Sequence, residues 1–294
     1  MVRLKKVKRG RQTYYYLEHS MREGTRVLKK ERFLGKAVPK DLEQLKTDFW
    51  KELYNEKYYS VIERIKKGHR KEFKATPASI LKKNLRSFGI KFTYDTQRIE
   101  GSTLTHRETA DLIERGVTPK GKPLDDVKEA ENHIKLFEEI LKVKGDLSLS
   151  KVKSWNYGLL KDTKPDIAGD VRRHQVMISG SKFVPPFPAE LNALLRGFFS
   201  WYDRAKNRLN AVELAALVHL KFVTIHPFGD GNGRTSRLMM NFVLRKHGYP
   251  MLDIAYKNRD SYYNALERSQ VKKDDSAFVQ WFFKRYIKDN RRYT

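Results

Sequence analysis

The residues of this chain that are best suited to chemistry lie in one run, residues 226–237, which reads HPFGDGNGRTSR. His226 ends an apolar helical pattern, and a histidine there can act as a base near neutral pH. Asp230 offers the hard oxygen ligands that Mg²⁺ prefers. Arg234 and Arg237 are three residues apart, so they lie on one face of a helix and can bind phosphate oxygens together.

Two glycines, Gly231 and Gly233, lie where the next apolar helical pattern begins. Without side chains there, the backbone N–H groups at the start of that helix can form a nest for phosphate. A base, a metal ligand, a phosphate nest and two arginines together indicate phosphoryl or nucleotidyl transfer. The alternative is a plain helix–loop–helix connection, but so many specified residue types at fixed spacing are too specific for it.

Residues 226–237 resemble the signature of the Fic family, HPFx(D/E)GNGRxxR, at every specified position. The resemblance extends over roughly residues 75–270 and includes Gly169–Arg172 (GDVR) and Tyr262–Leu266 (YYNAL). Members of this family fold as a helical domain with a β-hairpin flap, and most transfer AMP from ATP to a Ser, Thr or Tyr hydroxyl of a target protein. The resemblance therefore implies a protein adenylyltransferase that uses ATP as substrate and Mg²⁺ as cofactor and that releases pyrophosphate.

The same resemblance implies a role for each residue of the site. His226 deprotonates the target hydroxyl, and Asp230 holds Mg²⁺. The residues assigned to nucleotide binding are Phe228, Gly231, Asn232, Gly233, Arg234, Arg237, Tyr262 and Tyr263. Among these, Phe228 is expected to anchor the loop in the core. The two tyrosines either line an adenine pocket or pack in the core, as aromatic residues at helical spacing usually do.

A second pattern, TQRIEG at residues 96–101, matches the inhibitory pattern (S/T)xxxE(G/N) that precedes the core in class II members of the family. Glu100, at the end of a helix, could pair with Arg237 and place negative charge where the γ-phosphate belongs. The alternative is an ordinary surface glutamate before a helix-ending glycine. We expect Thr96, Glu100 and Gly101 to form an inhibitory element.

The elements that must position these residues are predicted to be mainly α. From Thr76 onward the apolar spacing predicts helices, and Thr105 and Glu108 form a capping box that starts one of them. We place one helix after Pro77 and a separate one at 90–99. Further helices are predicted at 123–143, 149–160, 188–204, 210–225, 232–247, 259–270 and 275–289. His219 lies on an apolar helical face and is predicted to be a core histidine.

Residues 174–186 (HQVMISGSKFVPP) interrupt the helical pattern and predict a β-hairpin that turns at Gly180. The exposed edge of such a hairpin can bind an extended segment of another chain. Val176, Met177 and Ile178 are therefore expected to form a flap that docks the target protein.

The first 40 residues form a distinct basic unit, with thirteen Lys or Arg against three Glu, a net charge of +10 out of +26 for the whole chain. Strands are predicted at residues 2–8, 12–18 and 25–34, with turns at Arg9-Gly10 and Glu23-Gly24. A long connecting helix is expected over 41–75, followed by the catalytic domain over 76–294 with its inhibitory helix near 90–100. Tyrosines at 14, 15 and 16 among these cations favour accessory contact with nucleic acid through residues 1–40.

Composition excludes several classes of function. The chain has no cysteine, which rules out disulfides and a cysteine nucleophile, and no apolar run long enough to span a membrane. We therefore expect a cytoplasmic protein whose partners are ATP and a protein target, with nucleic acid or a second copy as further candidates. Two alternative functions stay open: a phosphodiesterase that removes AMP through Glu100, and a nucleic-acid regulator whose Fic core only senses nucleotide.

Overall fold

The computed structural model describes residues 2–23 and 26–294. These divide into a first unit that ends at Glu63 and a second unit from Arg64 to Thr294. The prediction of a mainly α fold with a small N-terminal sheet is confirmed. No helix in the described ranges is both long enough and apolar enough to cross a membrane.

In the first unit, three antiparallel strands form a sheet of order β1-β2-β3, with β1 at Arg3–Arg9, β2 at Gln12–Glu23 and β3 at Arg26–Gly35. All three strands were predicted, but β2 runs five residues further than expected. Gly10 forms the first turn with φ +60, a conformation that glycine adopts without strain. The turn predicted at Glu23-Gly24 falls partly on residues 24–25, which lie outside the described residues.

One face of this sheet packs on the helix that follows it, α1 at Leu42–Tyr54. Its buried cluster joins strand and helix side chains: Val2, Leu17, Phe49 and Leu53. The single long helix predicted over residues 41–75 is interrupted, because a π-helical turn at Asn55–Tyr59 separates α1 from α2 at Ser60–Ala75.

Nine α-helices follow in the described part of the chain. They are α3 (Ala78–Ile99), α4 (His106–Arg115), α5 (Leu124–Ile140), α6 (Leu149–Leu160), α7 (Pro188–Ala205), α8 (Ala211–Ile225), α9 (Asn232–Lys246), α10 (Arg259–Lys272) and α11 (Ser276–Asp289). The predicted capping box is confirmed, because Thr105 accepts from the Glu108 N–H and Glu108 accepts from the Thr105 N–H. Twelve of the fifteen residues in each of α8 and α9 are buried, so this pair forms the centre of the second unit.

The break predicted between residues 85 and 90 is wrong, because α3 is continuous over 22 residues. Gly89 does not end the helix; it lets α5 approach closely. A Cβ at this position would lie 2.8 Å from both Ile134 Cδ1 and Phe137 Cε1. The glycine is therefore a packing feature, and the two predicted segments form one rod that carries Thr96 near its end.

The β-hairpin predicted at residues 174–186 is also wrong in detail. The chain turns at Gly180, with φ +73, and the Ser181 N–H donates to the Ile178 carbonyl, but no strand pairing forms within this segment. Pro185 and Pro186 lack N–H groups, and the Gln175 amide donates to the Pro185 carbonyl (2.9 Å) where a strand partner would otherwise bind. The flap is thus an extended loop.

Candidate active site

The loop between α8 and α9 is held by its own residues. His226 ends α8 with φ +50, and its N–H donates to the Phe222 carbonyl at 3.0 Å. The Asn232 amide donates to the Phe228 carbonyl and accepts from the Phe228 N–H, both at 2.9 Å. Phe228 is fully buried against Phe222, which confirms its predicted anchoring role. The loop is therefore preorganised.

A residue that the sequence reasoning missed, Asn156 of α6, fixes the glycine start of α9. Its amide donates to the Asp230 carbonyl at 3.0 Å and accepts from the Gly169 N–H at 2.9 Å. Gly231 has φ +76, and a Cβ there would lie 2.8 Å from the Asn156 amide nitrogen. The sequence marks Asn156 only as a polar residue among the apolar positions of α6.

His226 is arranged to be a neutral base. Its Nδ1 lies 3.3 Å from the Val223 carbonyl, which can only accept, so Nδ1 carries the proton and Nε2 keeps its lone pair. Burial lowers the pKa of His226 below its ordinary value; the Val223 contact opposes this, and Arg172 adds to it. The imidazole can therefore take a proton at neutral pH.

Arg172, in the GDVR segment, fastens the flap to this loop. The buried guanidinium donates to the carbonyls of His226 (2.9 Å), His174 (2.9 Å) and Pro186 (2.6 Å). The backbone N–H of Arg172 also donates to the Pro227 carbonyl at 2.9 Å. Arg172 therefore positions the base and both ends of the flap.

Asp230 lies in a network of charges on one side of the α9 start. Lys164 Nζ lies 2.9 Å from Asp230 Oδ2 and 2.8 Å from Glu129 Oε1. The buried Arg234 pairs with both carboxylates and donates to Gln97 Oε1 at 3.1 Å. Burial alone would raise the pKa of Asp230, but Arg234 and Lys164 outweigh it and hold that pKa below its ordinary value. Asp230 is therefore an ionised carboxylate that is neutralised by Arg234 and Lys164.

Arg237 lies on the other side, enclosed by the end of α3 and by α10. Its Nε donates to Thr96 Oγ1 at 2.6 Å, and its remaining nitrogens donate to Tyr262 Oη at 3.2 Å and Glu100 Oε1 at 2.5 Å. Burial would lower the pKa of Arg237, but Tyr262 and Glu100 outweigh it and raise that pKa. The structure therefore contains the Glu100–Arg237 pair that the sequence predicted.

Gly233 shows where the Glu100 carboxylate lies. A Cβ built on Gly233 would overlap Glu100 Oε1 and lie 3.2 Å from an Arg237 guanidinium nitrogen. The carboxylate therefore rests directly on the first turn of α9, where unpaired N–H groups would bind an anion. A phosphate and the Glu100 carboxylate would compete for this place.

Comparison with known proteins identifies the family of one stretch of the chain. Residues 146–244 match the Fic/DOC family. This stretch is a Fic domain. Over 178 residues the chain is 36% identical to the protein adenylyltransferase Fic of Drosophila yakuba, a match that covers 59% of this chain and 36% of the relative. The protein of that name from Drosophila virilis is 34% identical over 193 residues, 64% of this chain and 39% of its own length. The chain thus spans little more than a third of these relatives.

Solved structures agree with this assignment. A Fic domain-containing signaling protein from Bacteroides thetaiotaomicron is 28% identical, with a TM-score of 0.72 over 79% of this chain and 95% of its own. Fic-1 from C. elegans has the same TM-score at 23% identity, over 86% of this chain and 75% of its own, and shows the same fold.

Two of the residues predicted to contact nucleotide do not face the open site of the Fic domain. Phe228 and Tyr262 are buried, and Tyr262 bonds His219 Nε2 at 3.0 Å beneath Arg237. This also confirms His219 as a core histidine, stacked on Phe278. Tyr263 is 42% exposed and donates to the Ile99 carbonyl at 3.1 Å, so it joins α10 to the end of α3.

The remaining predicted residues converge on the first turn of α9. They are His226, Asp230, Gly231, Asn232, Gly233, Arg234, Arg237, Thr96, Glu100 and Gly101. Within the described ranges, no group of three His, Asp or Glu side chains is arranged to hold a metal by itself. Met177 of the flap is 69% exposed, while its neighbours Val176 and Ile178 are half-buried.

Proposed function

We propose that this Fic domain transfers AMP from ATP to a Ser, Thr or Tyr hydroxyl of a target protein and that Glu100 inhibits the transfer. The names of the Drosophila relatives support AMP transfer as the activity. The observation that carries the inhibited state is the Glu100 carboxylate, which lies on Gly233 and pairs with Arg237 at 2.5 Å.

The transfer needs a base, and His226 Nε2 has the free lone pair for it. His226 takes the hydroxyl proton, the hydroxyl oxygen bonds to the α-phosphorus, and the bond from that phosphorus to the pyrophosphate oxygen breaks. Negative charge develops on the phosphate oxygens, which the N–H groups at the start of α9 would stabilise. The imidazolium then returns its proton to solvent.

Asp230 would hold Mg²⁺ in this reaction. Mg²⁺ is usually bound by one or two carboxylates together with substrate phosphates, so one carboxylate beside the nest fits it. The Asp230 side chain is 38% exposed and faces the start of α9. When bound, the ion would neutralise charge on the phosphates.

Glu100 would inhibit by exclusion and by charge. Its carboxylate occupies the first turn of α9 and keeps the Arg237 guanidinium from a γ-phosphate. A phosphate placed there would meet a like charge in a partly buried site. ATP would therefore bind with its α-phosphate out of line for attack.

Target binding is assigned to the flap. Its apolar side chains Met177 and Val184 are 69% and 54% exposed, and Phe187, which directly follows the flap, is 65% exposed. Backbone groups of an extended, unpaired loop can bond a strand from another chain. The target hydroxyl would reach His226 because Arg172 ties both ends of the flap to the His226 loop.

One observation favours AMP removal as a second activity. Glu100 Oε1 is taken by Arg237, whereas Oε2 has no partner among the described residues, and the side chain is 31% exposed. A carboxylate oxygen in that position could orient a water molecule for attack on an AMP–target bond. Loss of AMP release from modified target in a Glu100→Gly variant would support this activity.

Two labelled forms of ATP test the proposal. The Glu100→Gly variant is incubated with Mg²⁺ and with ATP labelled at the α- or the γ-phosphorus, and the protein is then separated. We expect label from the α-position only, and none in Glu100→Gly with His226→Ala. Label from the γ-position would show phosphorylation instead, and no label from ATP or any other NTP would contradict nucleotidyl transfer.

A further inference from the structure

Three aromatic side chains share one face of the N-terminal sheet. Tyr16 pairs with Phe33 across β2 and β3, and Tyr14 lies two residues from Tyr16 on the same face. The Phe33 ring centroid lies 5.2 Å from that of Tyr16 and 6.1 Å from that of Tyr14. Phe33 is 57% exposed. We call Tyr14, Tyr16 and Phe33 the ring face.

The ring face does not contribute to the core of the first unit. The opposite face of the sheet carries Leu17, which is fully buried against α1 with Phe49 and Leu53. Tyr14 and Tyr16 are half-buried beside the exposed Phe33, and a partly exposed group of aromatic rings away from the core is typical of a binding surface. The fold therefore uses one face of the sheet for stability and leaves the other available.

The charges of this unit are divided between the two ends of the sheet. At one end Glu18 pairs with Arg3 and with Lys5, and Lys5 also pairs with Glu31 at 2.6 Å. At the other end, near Tyr14, the cations have no acidic partner in the described ranges. These unpaired cations are Lys8, Arg9 and Arg11. The ring face is thus bordered by uncompensated positive charge.

We propose that the ring face binds single-stranded nucleic acid. Aromatic rings stack on the flat face of any base, and they can do so only where the bases are not stacked inside a duplex. Arg9, which pairs with Gln12 on the face that carries Tyr14, and Arg11 in the adjoining turn lie where the phosphates of the same strand would pass, and their binding would release counterions. Rings bordered by unpaired cations match a strand that offers both base faces and phosphates.

The first experiment removes the rings and keeps the apolar volume. Binding of the full chain to a labelled oligothymidylate, long enough for a site of roughly 4–16 nucleotides, is measured by fluorescence anisotropy. Tyr16→Leu with Phe33→Leu should weaken binding about tenfold or more, because stacking on each ring is lost. Phe73→Leu, which changes a 52% exposed phenylalanine on α2, is the matched control and should leave binding unchanged. Circular dichroism checks that the sheet is retained.

A salt titration tests the charges. Arg9→Gln with Arg11→Gln should reduce the slope of log affinity against log salt by roughly 0.7 for each lost phosphate contact. Three results would overturn the proposal: no binding at about 50 mM salt, tighter binding of a duplex that the ring variants leave unchanged, or a dimer of this chain that the ring variants dissolve.

Discussion

The two arginines of α9, Arg234 and Arg237, are three residues apart and equally buried, yet their acidic partners differ. Arg234 pairs with Glu129 of α5, whose side chain is 10% exposed and is also bonded by Thr163 and Lys164. Arg237 pairs with Glu100, whose side chain is 31% exposed at the end of α3. A carboxylate fixed on all sides holds a structure together, whereas one at a helix end can be replaced by a ligand.

The largest expected effect tests the pair of Arg234 with the buried Glu129. Glu129→Ala leaves the buried Arg234 and the partly buried Lys164 with the more exposed Asp230 as their only shared carboxylate, so it should lower the free energy of unfolding by about 3 kcal/mol. Glu131→Ala, on the same helix with a side chain 32% exposed, is the control and should change it by less than about 0.5 kcal/mol. Urea denaturation measures both. Equal losses would show that Arg234 does not depend on Glu129.

The next effect tests the pair of Arg237 with the more exposed Glu100. Glu100→Gly should raise the rate of auto-AMPylation about 10- to 150-fold, because a charge-assisted bond worth roughly 1.5–3 kcal/mol no longer holds Arg237. Its loss of stability should be smaller than that of Glu129→Ala. Adding Arg237→Ala should remove much of the gain, since the freed guanidinium is then absent. Unchanged labelling in Glu100→Gly would show that residues 96–101 are an ordinary helix end.

A smaller effect concerns Asp230, the residue proposed to hold Mg²⁺. Lys164 Nζ lies 2.9 Å from Asp230 Oδ2, so it competes with a cation for that oxygen. Lys164→Met should tighten Mn²⁺ binding in the presence of ADP by about tenfold, as removal of one nearby positive charge allows. Electron paramagnetic resonance of free Mn²⁺ measures this. Lys153→Met, which changes a 40% exposed lysine paired with Asp170, should have no effect. Weaker Mn²⁺ binding in Lys164→Met would contradict the competition.

The smallest effect is on pH dependence. Because burial lowers the pKa of His226, the imidazole stays neutral to lower pH than a free histidine. The labelling rate of Glu100→Gly should therefore fall on acidification with a midpoint below about pH 6.5, the ordinary histidine pKa. A midpoint above that pH would show that His226 is protonated more easily than its burial allows.

The sequence predicts the part of the site that is contiguous in the chain, but not the residues that support it from far away in the sequence. Residues 226–237 carry their chemistry in one run, so the loop could be predicted. Glu129 and Lys164 could not, because no local pattern marks a carboxylate that meets Arg234 from 105 positions away. The Glu100–Arg237 pair, 137 positions apart, was predicted only because the family resemblance connects its two patterns.

The fold was predicted best where local preference and tertiary packing agree. Thr105 and Glu108 form their capping box through local bonds alone, and the helix starts where the sequence places it. At Gly89 the local preference for a break is overcome, because the missing side chain lets Ile134 and Phe137 pack closely. At the flap the alternation of Val176 and Ile178 indicated strands, but the prolines that follow removed the donors a hairpin needs.

The unbroken α3 has a mechanical consequence. Its 22 residues extend about 33 Å, and Gly89, where α5 presses closest, lies near the middle of that length. A stiff rod held at its midpoint behaves as a lever with two equal arms of about 16 Å. A tilt of about 5° would shift each tip by roughly 1.4 Å, more than enough to lengthen the 2.5 Å bond between Glu100 and Arg237 beyond hydrogen-bonding distance. With Gly89 as the pivot, a displacement at Ala78 would move the carboxylate that rests on Gly233 by a similar distance in the opposite direction.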